Sequence, residues 1–542
     1  MIFLRGIFLF IIIFILTRHS VLSQNWIKIY GEDVTCWARD LKENYDKGYI
    51  LIGQVNPGPN VPQMHGWIIK TDINGNELWN KKLYSSQYQI ACNGLDLTLD
   101  GGYIMNGVTT KLDPYDYDIS IIKFNVCGQK EWCKIFSTPG NSDYGLKVKQ
   151  IPGGYVALVK YFKDWIHQRI WLFKLDNLGD IIWQKLYAQS DTNIFNEEGR
   201  ELLLTLDGGY LITGDASYLV PPWTFGYRHP LIIKTDSNGV DQWTLVFGAL
   251  YAYKGYGGTD SYENQYGFFY ATSQHFRDSV PLGDSPGFIK VSPDGEEVYW
   301  RDLFPNTVLG IDNTMDFIND SVMIISSSWS YSSTTSDSTG VIKVDTLGNV
   351  LKVKVLLTNV INTLRASTLT YDNKYLVTGG FSVNGADPHI YLFKLNYDLE
   401  YDSIYTRPFT YDSLCPNPIV SDTTNLDDCE VVTSIKTPEE YEEESYLKVY
   451  PNPSDNQITI EIPKYLVRKS SGHGMTATTI YHQWKDVRLE VFDLFGKLMF
   501  CETLPQQKKS VKLSVSHWSP GMYVSRLVLM NEVVAKVKFI VE

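Results

Sequence analysis

Short runs of alternating apolar and polar residues, each following a glycine turn, recur along this chain. Asp207-Gly208-Gly209 leads into Tyr210 to Gly214, whose period-two alternation predicts a strand. The glycines supply backbone angles that other residues resist. Leu231 to Lys234 predicts a second strand, Asp236 to Gly239 a hairpin turn, and Trp243 lies on the strand that follows. The same turn opens DKGYILIG at Asp46, DGGYIMNG at Asp100 and PGGYVALV at Pro152, with weaker copies from Asn264, Asn319 and Asp372. The spacing of roughly 50 to 57 residues lies in the range of propeller repeats. A further apolar run precedes each turn, as in NGLDLTL from Asn93 and GRELLLTL from Gly199, so each repeat carries four strands. Such a sheet is apolar on both faces and needs a neighbour on each. The predicted fold is all-β: a seven-bladed β-propeller of four-stranded blades over residues 24–406, followed by a small antiparallel β-sandwich.

A linear β-solenoid is the competing architecture, but its repeats are usually shorter and its strands parallel. Trp79, Trp132, Trp183, Trp243 and Trp300 are expected to fall in register and fill the wedge between blades, with Lys352 and Tyr401 or a neighbour in the last two copies. Trp26 to Tyr30 reads as one more copy of this strand, placed to fasten the ring; Asp402 to Tyr405 is an alternative.

Aromatic residues at 14% against 20% charged residues fit a strand-rich fold with large side chains between sheets. The net charge of −13 argues against a nucleic-acid partner. Arg5, the apolar run Ile7 to Leu16 and Val21-Leu22-Ser23 predict a signal peptide over residues 1–23, with no transmembrane segment in the mature chain. Export permits disulfides. Among the 7 cysteines, Cys127 with Cys133 across a hairpin and Cys415 with Cys429 around a loop are the expected pairs; Cys36 and Cys92 pair or stay buried, and Cys501 is left over. Residues 407–432 form a Cys-bracketed strap, or an extra pair of short strands. Residues 433–445 form an acidic linker. Residues 446–542 alternate as strands of the sandwich, with Lys464 to Asp486 expected to be a loop.

Two resemblances follow from these residues. SPDGEEVYW from Ser292 resembles the aspartate-box hairpin of sialidases and some other propellers, which is structural and implies no activity. The last hundred or so residues resemble the type A C-terminal sorting domain of proteins exported by the type IX secretion system of Bacteroidetes. Tyr450-Pro451-Asn452-Pro453, the VFDLFG run ending at Gly496, the PGMYV run with Gly521, and the basic-apolar tail with Lys536 and Lys538 carry the match, in that order. The insertion Lys464 to Asp486 departs from the pattern. The resemblance implies passage through the inner membrane, then engagement of the type IX machinery and export to the cell surface or medium.

Candidate chemistry is sparse. Asp113, Asp116 and Asp118 offer hard oxygen ligands for Ca²⁺, but without the glycine and distal glutamate of an EF-hand, so a solvated loop is the simpler reading and no cofactor is predicted. There is no GxSxG and no zinc spacing. Arg39, Arg200 and Arg365 each stand ten residues before a repeat tyrosine (Tyr49, Tyr210, Tyr375), which places them at equivalent points of innermost strands. Loops between the second and third strands hold Tyr115, Tyr117, Trp165 and Trp223, then Tyr227 and His229, suited to sugar rings or protein partners. The expected function is a secreted or surface binding and adhesion module for an unidentified protein or glycan. The alternatives are a glycan-acting hydrolase or lyase with its site at the propeller mouth, and a structural surface protein.

Overall fold

The computed structural model describes residues 26–542 apart from 33, 57, 59–62, 112–116, 139–141, 163–166, 188–193, 219–226, 248–256, 278–282, 305–308, 331–337, 359–360, 383–387, 434–446, 464–465, 473–474, 482–485, 506–507 and 531. Every regular element among the described residues is a strand, and none of those residues forms a helix long and apolar enough to cross a membrane. The leader and residues 434–445 of the acidic linker 433–445 lie outside the described residues.

Each repeat folds as an antiparallel meander. In the first, Thr35–Glu43, Tyr49–Asn56, His65–Thr71 and Glu77–Tyr84 lie side by side in chain order. The order recurs through residues 88–136, 144–187, 194–247, 261–302 and 309–358. A single parallel pairing, Gln168 with Asn196, joins the third and fourth meanders into one sheet. The last unit, Ile361–Leu369, Tyr375–Ser382 and His389–Leu395, takes its fourth strand from the other end of the chain: Ile27 pairs with Phe393 and Tyr30 with Ile390. Of the two candidates, the N-terminal strand therefore completes this sheet, while Tyr401 makes one bridge to Leu395. The apolar core sits between neighbouring meanders. One cluster packs Leu376, Ile390 and Leu392 of the last against Leu41, Leu51 and Ile69 of the first, with Trp26 between them.

The repeated polar residues are consumed by the turns. Oδ1 of Asp72, Asn125, Asp176, Asp236, Asp345 and Asn396 accepts the backbone N–H groups two and four residues on. In the fifth meander Ser292 Oγ accepts instead from the N–H groups four and five residues on, of Glu296 and Glu297. At the other end of the sheets, Asp46, Asp100 and Asp207 accept from a turn glycine and from the lysine of the third strand: Lys70 Nζ to Asp46 is 2.5 Å, Lys123 Nζ to Asp100 2.8 Å and Lys234 Nζ to Asp207 2.7 Å.

The tryptophans wedge against the turn of the next meander. Trp132 Nε1 donates to Asn177 O and Trp243 Nε1 to Pro293 O, both at 3.1 Å. A Cβ at Gly179 would lie 2.7 Å from the Trp132 ring, and one at Gly239 equally close to Trp183. Trp300 departs from expectation. Trp79 and Trp243 stand opposite Lys70 and Lys234, but the corresponding Lys290 faces Tyr299. The turn SPDGEEV carries one residue more than its counterparts and shifts the strand by one position. Gly239 combines φ +70° with that contact. Gly239→Ala should therefore cost roughly 2–4 kcal/mol through left-handed strain and a displaced indole, read as a lower midpoint in denaturant unfolding.

Residues 407–432 run across two open sheet edges. Asp422–Asn425 pairs parallel with Lys81 to Tyr84, and Glu430–Val432 with Lys134 to Phe136. The cysteine pairing differs from expectation: Cys127 bonds Cys415 and Cys133 bonds Cys429. Cys127 lies in the hairpin turn while Cys133 lies on the strand opposite Ile122, so the two are not cross-strand neighbours. Cys36 and Cys92 are buried free thiols and Cys501 is an exposed one.

The C-terminal part stacks two antiparallel sheets, of three and four strands, over Ile458, Ile460, Val487, Leu489, Leu527 and Phe539. Tyr450 ends the first strand. Asn452 Oδ1 accepts from Ile540 N at 2.8 Å and Ser454 bridges Val541, which zips the Tyr450–Pro453 motif to the C-terminal strand. Gly496 closes a turn pinned by Asp493 Oδ1, Gly521 opens the strand Gly521–Leu529, and Lys536 and Lys538 are exposed on the last strand. The insertion read as a loop instead forms a hairpin, Leu466–Gly472 with Met475–Tyr481. Its second strand pairs antiparallel with Asp241–Phe247, the outer edge of the fourth meander.

Candidate functional site

The first strand of most meanders carries a β-bulge at the same height. The pairing with the second strand skips one residue between Ala38 and Asp40, Cys92 and Gly94, Gly145 and Lys147, Gly199 and Glu201, and Leu364 and Ala366. A wider irregularity lies between Ile311 and Thr314. Bulges re-aim the unpaired side chain. The skipped residues are Arg39, Asn93, Leu146, Arg200 and Arg365, with Asn313 in the sixth meander, and all six line one cavity of about 600 Å³. The three arginines are thus equivalent, as their spacing to the repeat tyrosine predicts. Asn93 stands ten residues before Tyr103 and was legible by the same rule.

Arg200 is held by a bidentate pair with buried Asp215, at 3.0 and 3.1 Å. Glu198 lies 3.2 Å from Lys160 Nζ and 3.6 Å from Arg200. Burial opposes ionisation of Glu198, but Arg200, Lys160 and Arg228 outweigh it and hold its carboxyl below the usual range. Lys147 binds Glu201 at 2.9 Å. On one side of the cavity Tyr117 stacks on Tyr144, with centroids 5.0 Å apart, and Tyr144 packs on Phe162 at 5.5 Å. Lys160 Nζ sits 5.0 Å over the Phe162 ring. Asp143 pins this ladder: its N–H donates to Tyr117 O at 2.8 Å, and its Oδ1 accepts from Phe162 N at 3.0 Å. Tyr144, Phe162, Lys160 and Glu198 escape a reading of repeats because they belong to no repeated motif.

The other candidates are dispersed. Tyr115, Trp165, Trp223, Asp113 and Asp116 lie outside the described residues, as does the side chain of Tyr227. His229 is fully buried, its Nδ1 3.0 Å from Phe247 O, so it is a core histidine and not a loop group open to a ligand. Asp118 is buried, with Lys111 Nζ at 3.4 Å from its carboxylate.

Next to the lining residue Thr259, desolvation, then Glu201 and Asp316, push the Asp260 carboxyl up to about 7. Burial also raises Asp316, to about 6. A folded-state value above the unfolded one of about 3.9 means the folded protein binds the proton more tightly, so this group's contribution to stability falls as pH rises from about 4 to 7. Asp260→Asn should remove the dependence. Between pH 5 and pH 8 the wild type should lose about 2 °C more in Tm than the variant, and parallel pH profiles would refute the assignment.

No curated protein sequence matches the chain. Among solved structures, it is similar to a protein of unknown function from Dyadobacter fermentans DSM 18053, at 12% identity and TM-score 0.40, over 69% of this chain and 99% of that one. It is similar to polysaccharide lyase Uly1 at 10% identity and TM-score 0.42, over 70% and 94%. It is also similar to the β-propeller domain of the Trilobed protease from Pyrococcus furiosus, at 8% identity and TM-score 0.39, over 71% and 98%. The family described as secretion system C-terminal sorting domain matches residues 448–542. The chain therefore ends in a type IX secretion sorting domain, engages that machinery through it, and is exported to the cell surface or the medium.

Proposed function

We propose that the chain is an exported binding module: a seven-bladed propeller of four-stranded blades over residues 24–406, with its ligand site in the cavity ringed by the bulges. A signal peptide over 1–23 starts export, 407–432 straps the ring, and 433–445 links it to the sorting domain. The observation that carries the reading is the repeated bulge, which turns one side chain of successive first strands into a common cavity. A purely structural ring has no need to place three arginines and an asparagine there. Glu198 and Tyr144 are two of the lining groups that a hydrolase or lyase would draw on for acid–base work. Glu198 is ion-paired and held ionised, and burial and the neighbouring Tyr117 push the Tyr144 hydroxyl up, away from service as a base. Binding is the better fit.

A glycan array and a surface-protein pull-down with the protein cut off before the sorting domain test this. Specific retention, lost when Arg39 and Arg365 are both changed to Gln, is expected; retention indifferent to that change removes the cavity from the function. Limited proteolysis should cut first between Glu439 and Ser445, and a protected linker would argue against two independently folded parts.

A further inference from the structure

We propose that the cavity takes one anionic sugar unit of a polysaccharide, with its carboxylate or sulfate on the bulge arginines and its ring face on the Tyr117–Tyr144–Phe162 ladder. The inference rests on the reading of the cavity as a ligand site and adds the chemistry of what enters.

The lining is strongly cationic within a chain of net charge −13. Among the described residues, Arg39, Arg200, Arg365, Lys147 and Lys160 face it, against one lining carboxylate, Glu198. Part of this charge is neutralised: Lys147 is paired with Glu201, Arg200 with Asp215, and Lys160 with Glu198. The pair to Asp215 engages Nε and one terminal nitrogen of Arg200. Guanidinium groups match planar or tetrahedral oxyanions through paired N–H donors. Arg200, Lys160 and Arg228 hold Glu198 ionised, so it offsets part of the charge it faces. Charge alone would fit any small anion. The ladder narrows the class, because three aromatic side chains edge the same cavity and are held by Asp143 through backbone contacts. An aromatic face beside cations suits the C–H face of a pyranose ring bearing an oxyanion. Asn93 and Asn313, at equivalent bulge positions, donate amide N–H groups to Gly145 O and Ser273 O, and it is their side-chain oxygens that would accept from hydroxyls.

Calorimetry on the exported protein tests this with probes that differ only in charge: tetragalacturonate against its methyl ester, and a short dextran sulfate against dextran. Binding of at least one charged probe, at least about tenfold weaker for its neutral partner, is expected. The affinity should fall with added salt. Arg39→Gln, Arg365→Gln and Lys160→Gln should each weaken it severalfold in protein that remains folded at the assay temperature, whereas Lys352→Gln on an exposed outer edge should not. Tyr144→Leu should weaken charged sugars without affecting inorganic sulfate. Equal binding of charged and neutral probes would overturn this inference and leave the binding reading standing. No glycan binding, with capture of a protein ligand that the arginine variants abolish, would overturn the sugar assignment alone. Indifference of every ligand to the arginine variants would overturn both.

Discussion

Replacing all four cysteines of Cys127–Cys415 and Cys133–Cys429 by serine should free residues 407–432 from the propeller and lower its stability by far more than either single removal. The segment's own strands are four and three residues long and mostly exposed. Leu426 is its one deeply buried apolar anchor, aided by Tyr411 to Ile73 N and Asp412 to Trp79 Nε1. The bonds span 288 and 296 residues, but they lie side by side. With one intact, the other closes only a ring on the order of 20 residues, so its loss should cost about 3 kcal/mol. Once the first is gone, the second alone closes the long loop, and its loss should approach about 5 kcal/mol. The double removal should also expose 407–432 to proteases while the meanders stay resistant. Non-reducing peptide maps give the direct check: Cys127 should travel with Cys415, and a Cys127–Cys133 peptide would reverse the pairing. A segment still protected under reductant would show that packing holds it without the bonds.

Ending the chain after Val432 should abolish appearance at the surface or in the medium, by at least about tenfold on base-ten scales of fractionation, while a folded propeller accumulates in the periplasm. The cut leaves the strap and both disulfides in place, so a loss of export cannot be blamed on an unravelled ring. Normal display of the truncated chain would sink the export role of residues 448–542. The cut also removes the hairpin that covers Asp241–Phe247. The shortened protein should thus show a new tendency to self-associate through that uncovered edge, cured by a lysine on its outer face.

The repeats were legible because turns are local. An aspartate or asparagine and a glycine three positions on suffice to specify the hairpin, and the same atoms do the same work at Asp72, Asp176 and Asp236. Trp300 shows the limit: one extra glutamate in a turn moves a strand by a residue and hands its place to Tyr299, which composition cannot reveal. Disulfide partners nearly 300 residues apart are set by which sheet edges the strap crosses, not by spacing. The hairpin Leu466–Tyr481 reads as a loop because its Ser, Gly and Thr content lacks an apolar face; it gains its order from an edge elsewhere in the chain. The arginines were found by counting, but the bulge that turns them inward is a property of paired strands and is invisible in one strand alone.

The pairing of Ile27 with Phe393 has a kinetic meaning. Bringing such distant residues together costs about 3 kcal/mol more loop entropy than joining strands ten residues apart. Burying Trp26 offsets most of that. During synthesis the first strand to emerge waits, partnerless, until nearly the entire repeat array has followed it. The ring then closes as one late, cooperative event, and any chain released short of that point carries two open ends.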